Sequence, residues 1–318
     1  MFKLIHHFIK ETLISFYKSK DKYNVQKRII KHNKTLSQEE FIFEEDEFID
    51  FIKTCFIENT QTYVSTIIDT FNQGCVDSCS HSKYREVGIN LDNIKILCLK
   101  DYSIFIGLYE INQFEKEMKK FKVDYIFSPY LLIDLHKKET NNSIYILYTD
   151  SFVIVLIYED AKKPKYSNIY QFKFDESNEK VSIEENHEDD LDAFDDIDDL
   201  VDDIEEIESL DDTLDEDIES IDDISDTEHI EDEQEEIEEE MSDVKNEIET
   251  IDFIKNSIKD YYESYSDNFL EYGYILYSDA ISHKFVKDIE NETFLEIKKE
   301  KIDILSIIND LATKELNV

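Results

Sequence analysis

Hydrophobic positions fall into three regimes along the chain. Up to about Lys180 they occur in short runs split by charged or turn-forming residues, the mark of mixed α and β structure. Phe2–Phe8, Thr12–Tyr17 and Tyr23–Ile30, separated by Ile9-Lys10-Glu11 and Lys18–Lys22, predict an antiparallel three-stranded meander. Glu44–Cys55 sets Phe48, Ile49, Phe51 and Ile52 at helical spacing. Ile94–Leu99 and Ser103–Tyr109 predict two strands around Lys100-Asp101, and Gln113–Lys120 a short charged helix. Tyr125–Phe127 is a strand stub ended by Pro129, followed by a helical turn from Leu131 to His136. Ile144–Tyr148 and Phe152–Tyr158 predict a hairpin around Thr149-Asp150-Ser151. The second of these is apolar at every position, as a strand covered on both faces must be. Ile169–Phe174 alternates and is its expected neighbour.

The second regime, Glu184–Asp243, carries 34 Asp and Glu and no Lys or Arg. Apolar residues still recur through it, from Leu191 to Ile224, at a mean step of 3.3. That is near a helical period, so an acidic amphipathic helix that folds on a basic partner is one reading. Asp is a poor interior helix residue, and like charges at i,i+3 and i,i+4 repel. The expectation is therefore a disordered, solvated acidic linker.

The third regime starts near Val244. Ile237, Met241, Val244, Ile248, Ile251, Ile254 and Ile258 step by threes and fours, predicting an amphipathic helix from about Glu235 to Glu263. Leu270–Tyr277 and Thr293–Ile297 read as strands. Asp303–Leu316 reads as a terminal helix presenting Ile304, Ile307, Ile308 and Leu311. These elements are too few to stand alone, and should complete the sheet begun earlier in the chain. The organisation expected is residues 1–182 and 244–318 in one fold, with 183–243 as the linker between them.

Charge changes the picture of the whole less than of one part. The 318 residues hold 77 acids and 34 bases, a formal net charge of -43. Outside the acidic stretch the balance is 43 acids against 34 bases. Only two arginines occur, Arg28 and Arg85, so binding of nucleic acid through phosphate neutralisation is excluded as an expectation. The four glycines, Gly74, Gly88, Gly107 and Gly273, cannot build a G-x-G-x-x-G or a P-loop cradle. The longest apolar run has seven residues, against the ~20 of a bilayer helix, and the N-terminus is too interrupted for a signal peptide. A cytoplasmic chain is expected, with Cys55, Cys75, Cys79 and Cys98 as free thiols.

Candidate chemistry is sparse. Cys75 and Cys79 with His81 give a C-x3-C spacing that would need Cys98 to complete a zinc site, and no second paired motif supports it. His6 and His7, adjacent on a strand, point to opposite faces and cannot chelate one ion together. Asp124 reads equally as a strand-edge cap or a catalyst. No nucleophile elbow, Cys–His pair or H-E-x-x-H helix occurs, and the acidic stretch lacks the glycine of a calcium-binding loop. No catalytic, cofactor-binding or metal-ligating residue is therefore assigned. Tyr261, Tyr262, Tyr265, Phe269, Tyr272, Tyr274 and Tyr277 cluster as core or as a subunit interface, which admits a homodimer.

Several phrases carry a resemblance. Thr62-Tyr63-Val64-Ser65-Thr66, then Gln73-Gly74 and Cys79, is similar to a segment of the actin-like cytoplasmic proteins of type II secretion, type IV pilus and DNA-uptake (transformation) assemblies. Asp124–Tyr130 resembles the strand and turn that follow in them. Tyr261-Tyr262, Tyr265-Ser266, Phe269 and the terminal Asp310-Leu311-Ala312 with Lys314-Glu315 resemble the closing part. The resemblance covers Met1–Phe174 and Ile248–Val318. It implies a degenerate actin/hexokinase-like α/β fold: two lobes around a cleft, each with a mixed five-stranded sheet opened by a three-strand meander, interrupted here by the acidic insert. Some members bind ATP through an Asp- and Gly-containing turn after the first strand. Here that turn is expected at His6–Glu11, without Asp or Gly, so no cofactor is expected. The resemblance further implies a non-enzymatic scaffold between an assembly ATPase and bitopic inner-membrane proteins, peripheral to the membrane through those partners. It is compatible with a separate subunit or with the soluble part of a longer protein. The alternative reading is an acidic interaction protein, a DNA mimic or chaperone of basic proteins, acting through residues 184–243.

Overall fold

The computed structural model describes residues 10–32, 34–58, 61–172, 228–265, 268–278 and 280–316. A meander of β1 (Glu11–Ser19), β2 (Lys22–Lys31) and β3 (Lys34–Phe43) leads into helix α1 (Glu45–Glu58) and strand β4 (Thr62–Ile67). A small region follows: β5 (Gln73–Val76), α2 (His81–Glu86), β6 (Ile94–Cys98) and β7 (Ser103–Gly107). Helix α3 (Leu108–Glu117), strand β8 (Tyr125–Phe127) and helix α4 (Tyr130–His136) close the first half. A second meander, β9 (Ser143–Tyr148), β10 (Phe152–Tyr158) and β11 (Pro164–Gln171), opens the second half. It continues through helix α5 (Glu228–Ser264), strand β12 (Tyr272–Tyr277), helix α6 (His283–Thr293), strand β13 (Ile297–Lys301) and helix α7 (Ile304–Leu316).

The strands form two five-stranded sheets, β3-β2-β1-β4-β8 and β11-β10-β9-β12-β13, and a three-stranded sheet, β5-β7-β6. Within each large sheet the first strand runs antiparallel to the second and parallel to the fourth. Numbered within its own half, each sheet has the order 3-2-1-4-5. Two copies of this meander-plus-crossover unit in one chain are the actin/hexokinase-type fold, with lobe 1 built on β1–β4 and β8 and lobe 2 on β9–β13. The C-terminal strands complete the second sheet through the parallel β9–β12 pairing, Ile146 opposite Ile275. The crossover from meander to helix takes one residue in lobe 1, Glu44, whereas in lobe 2 it runs from Phe172 to the start of α5 and contains residues 184–227 of the acidic stretch, the rest of which lies on α5. The described residues of α7, α6 and the sheets belong to one compact unit.

Three apolar clusters hold the lobes. Lobe 1 packs Ile14, Phe16, Val25 and Val64 against Phe48, Ile52 and Cys55 of α1. One face of the lobe 2 sheet, with Ile144, Val153, Val155 and Ile275, is covered by Ile254 and Tyr261 of α5 and by Phe285 and Ile289 of α6. The other face, with Leu147, Ile154 and Leu156, packs on α4, on α7 and on Ile67 and Phe127 of lobe 1. That cluster joins the lobes.

Several expectations are corrected. The meander exists one strand further along: Phe2–Phe8 lies outside the described residues, and the third strand is Lys34–Phe43. Its sequence KTLSQEEFIF is mostly exposed, because it forms the sheet edge, so no apolar alternation marks it. Of Thr293–Ile297, Thr293 ends helix α6 (capped at its start by Ser282, which accepts from the Phe285 N–H at 2.9 Å), Phe294–Glu296 are irregular, and the strand starts only at Ile297. Helix α5 starts at Glu228 instead of Glu235. Its buried face is Asn246, Thr250, Ile254, Ser257 and Tyr261, while Val244 and Ile248 of the apolar stripe are more than half exposed. Thr250 donates back to the Asn246 carbonyl (2.7 Å), which lets polar residues lie on the packed face. Ile237 and Met241 are on α5, where their side chains are outside the description.

Candidate functional site

The duplicated fold brings two equivalent hairpin turns together where the lobes meet. One is Ser19–Lys22 between β1 and β2, and the other is Thr149–Phe152 between β9 and β10. Between them lies a cavity of about 270 Å³ lined by Phe16, Lys18, Lys20, Thr66, Asp69, Phe114, Met118, Ser151 and Phe152. The position corrects the expectation that the first turn is His6–Glu11. The true turn contains Asp21 and no glycine, and Lys20 takes the left-handed φ of 52° that glycine ordinarily takes. His6 and His7 lie outside the described residues.

The turns are closed by their own side chains. Ser19 Oγ donates to the Asp150 carboxylate across the lobes. Thr149 Oγ1 accepts from the N–H groups of Phe152 (3.0 Å) and Ser151 (3.4 Å), and donates to the Phe152 carbonyl (2.9 Å). On the lobe 1 side, Thr66 Oγ1 donates to the Phe16 carbonyl (2.7 Å). Gln73 Nε2 donates to the carbonyls of Ile68 (2.9 Å) and Thr70 (2.8 Å), and Ser128 Oγ donates to Gln73 Oε1 (2.7 Å). Gln171 of β11 reaches the Asp69 carbonyl. Asp69 is held above the ordinary carboxyl range by burial, against the lowering effect of its own backbone N–H and of Gln171.

A nucleotide phosphate needs free backbone N–H groups and glycine to let the chain approach. Here neither turn has glycine, the Ser151 and Phe152 N–H groups of the second are occupied by Thr149 Oγ1, and Asp150 puts a carboxylate between the turns. The residues present do not fit a nucleotide.

The remaining candidates resolve as follows. Cys79 and Cys98 form a disulfide with Cα atoms 5.7 Å apart, which corrects the expectation of four free thiols. The β5–β7–β6 order carries the loop after β5 across the sheet to the end of β6, a juxtaposition invisible in the spacing. Cys75 is free, and burial first, then the Asp134 charge, pushes its thiol well up. Among the described residues no group of three His, Cys, Asp or Glu could hold a metal. Asp124 is a strand cap: its carboxylate accepts from the Val64 N–H (3.0 Å) and pairs with Lys122 (2.6 Å). Of the aromatic cluster, Tyr261 and Tyr274 are core, whereas Tyr265, Phe269 and Tyr272 are exposed.

One site was missed in the sequence. Arg28, one of two arginines, is buried on β2 and meets the C-terminal helix: it pairs with Asp310 (2.5 Å) and donates to Ser306 Oγ (2.8 Å). Beside it Asn309 donates to Gln26 Oε1 (2.9 Å), and Ser15 donates to the Leu305 carbonyl (2.9 Å). The signal available was slight: one of the chain's two arginines, directly before Ile29-Ile30 in the strand KYNVQKRIIK.

Comparisons agree with the two-lobed division. The family model of a domain of unknown function (DUF8569) matches residues 8–134, the span of lobe 1. No curated protein matches the chain. Among solved structures, the chain resembles a Bacteroides thetaiotaomicron protein with actin-like ATPase fold and unknown function (10% identity, 96% of this chain and 95% of that one, TM-score 0.44). It also resembles a PilM-PilN type IV pilus biogenesis complex (8%, 93% and 89%, TM-score 0.47). A third likeness is the ethanolamine utilization protein EutJ from Carboxydothermus hydrogenoformans (6%, 94% and 87%, TM-score 0.39). The model of a second domain of unknown function (DUF8341) matches residues 144–317, more than half of the chain and the span of lobe 2, and the protein belongs to that family.

Proposed function

We propose that the chain is a non-enzymatic adaptor. In this reading it connects an assembly ATPase to bitopic inner-membrane proteins of a type II secretion, type IV pilus or DNA-uptake machine, from the cytoplasmic side and peripheral to the membrane through those partners. The observation that carries the non-enzymatic part is the closed meeting point of the lobes. The Ser19–Asp150 contact and the self-satisfied Thr149 turn occupy the place where an actin-type ATPase needs open phosphate donors. The shared apolar cluster behind them further restrains the lobe hinge. Identity of the machine rests on the resembling phrases. Their positions in the fold support it: Thr62–Thr66 is β4, Asp124–Tyr130 spans β8 and the start of α4, and Asp310 anchors the terminal helix. No helix among the described residues is long and apolar enough to cross a membrane, so attachment in this reading runs through partners.

Affinity purification of the full chain from its host tests the reading. Recovery of a secretion-type ATPase or a bitopic inner-membrane protein is expected; recovery of neither overturns it. The second reading, an acidic interaction protein, has one observation in its favour: 34 acids without a base between Glu184 and Asp243. Deletion of residues 184–227, which spares α5, separates the two. An adaptor keeps its main partner, whereas an acidic chaperone or DNA mimic loses binding and shows strong salt sensitivity in the intact form.

A further inference from the structure

Exposed sheet edges are templates for pairing with another chain, and proteins guard them with charge, brevity or cover. Most edges here are guarded. Strand β3 carries Lys34, Glu39 and Glu40; β8 has three residues; β13 reads Ile297-Lys298-Lys299-Glu300-Lys301. Strand β11 is met by β5, whose Cys75 N–H donates to Ser167 Oγ (3.0 Å). Strand β6, Ile94-Lys95-Ile96-Leu97-Cys98, is the exception. It forms the outer edge of the small sheet, it carries one charge, and Leu97 is 46% exposed. Among the described residues its backbone hydrogen bonds run to β7 alone.

We propose that β6 pairs antiparallel with β6 of a second copy of this chain, joining two three-stranded sheets into one of six strands. Register and charge favour a copy over another occupant. Centred on Ile96, the pairing sets Ile94 opposite the partner's Cys98 and Lys95 opposite the partner's Leu97, so no like charges face each other. The same operation on β13 sets Lys299 against Lys299. The surroundings matter equally in so acidic a chain. Between Ser78 and Gly107 there are four bases and three acids, so two copies can approach here without the repulsion that a net charge of -43 imposes elsewhere. The strand is also pre-set for pairing. The Cys79–Cys98 disulfide ties its end, and Tyr84 of α2 shares a hydrogen bond with Ser103 of β7 (2.6 Å). Five residues of edge bury less than the ~1,200 Å² of stable interfaces, so the dimer is concentration-dependent. The proposal concerns the chain by itself and does not depend on which machine it serves.

Sedimentation velocity of the full chain from about 1 μM to 1 mM reads the dimer directly. Two substitutions at the exposed Leu97 fix the register. Leu97→Lys sets a second Lys opposite Lys95 and should weaken association at least about tenfold. Leu97→Glu sets an acid opposite Lys95 and should preserve or tighten it. Non-specific association predicts the reverse order, because added negative charge would weaken it and added positive charge would help. Hydrogen exchange of the unmodified chain gives an independent reading: amides of Ile94–Cys98 should gain protection as concentration rises. A chain that is monomeric throughout overturns the proposal. So does a dimer indifferent to Leu97→Lys, a dimer weakened by Leu97→Glu, or β6 amides that exchange equally at both ends of the series.

Discussion

Strands β2 and β10 hold equivalent places in the two lobes and are buried by different means. β10 reads Phe-Val-Ile-Val-Leu-Ile-Tyr, is buried at all seven positions, and lies between two apolar layers. β2 buries Gln26 and Arg28, and the helix over them, α7, comes from the far end of the chain through a polar network. Apolar packing is strong but directionless, so it stabilises lobe 2 without specifying a partner for each residue. A buried network accepts one arrangement, and a half-satisfied one is costly. Lobe 1 is thus closed by the C-terminus in a single register, which ties the two ends of the chain into one body.

The comparison breaks most visibly in the core. Leu156→Ala removes a fully buried side chain from the layer that joins the lobes and should cost about 3–4 kcal/mol in denaturant unfolding. A loss well under that would mean the layer is loosely packed and the lobes free to hinge. Next comes the polar clasp. Asp310→Ala leaves the Arg28 guanidinium buried with only neutral partners, and should cost about 2 kcal/mol, discounted because Asp310 itself is exposed. Arg28→Met should cost less, because the carboxylate it leaves behind faces water. The reverse order would show that packing of the arginine stem, and not its charge, holds α7.

Two carboxylates should respond to pH with opposite sign. Asp69, at the interlobe cavity, has its folded pKa raised by burial. Its proton is retained longer in the folded state, so stability falls as pH rises from the ordinary value of 3.8 through the raised one. Asp69→Asn should therefore raise the unfolding midpoint at pH 7 and have no effect at acid pH. Glu300 of β13 is lowered by hydrogen bonds from Lys138 (2.8 Å) first and His136 (2.9 Å) next. Its contribution is present above the ordinary carboxyl value and is lost as pH falls through the folded one. Glu300→Gln should lower the midpoint slightly at pH 7, the smallest of these effects because the pair is on the surface. Midpoints measured from pH 3 to 8 check both; shifts of the same sign would contradict the burial difference between the sites.

Lobe 2 was the more legible in sequence, for the same physical reason. Continuous apolar strands such as Phe152–Tyr158 announce themselves, and so does the period of the helix containing Ile254 and Ile258. The charged edge strands do not: Lys34–Phe43 and Ile297–Lys301 face solvent, and their residues record exposure instead of strand, whereas the apolar edge strands Ile94–Cys98 and Tyr125–Phe127 were legible. The apolar stripe on α5 pointed to the right helix and to part of the wrong face, since Asn246 and Thr250 lie inside while Val244 and Ile248 lie outside. The cavity was not legible, because it needs the duplicated topology to bring residues 19 and 150 together. The disulfide, the Arg28–Asp310 pair and the Ser19–Asp150 contact share that cause: each joins residues whose proximity is set by tertiary structure alone.

The central claim is that the meeting point of the lobes is closed and does not serve a nucleotide. Titration of the full-length chain with Mg-ATP by isothermal calorimetry tests it most directly. The account predicts no binding heat up to about 1 mM ATP, a free energy weaker than about -4 kcal/mol. Stoichiometric binding in the micromolar range, weakened by Lys20→Ala, would contradict it.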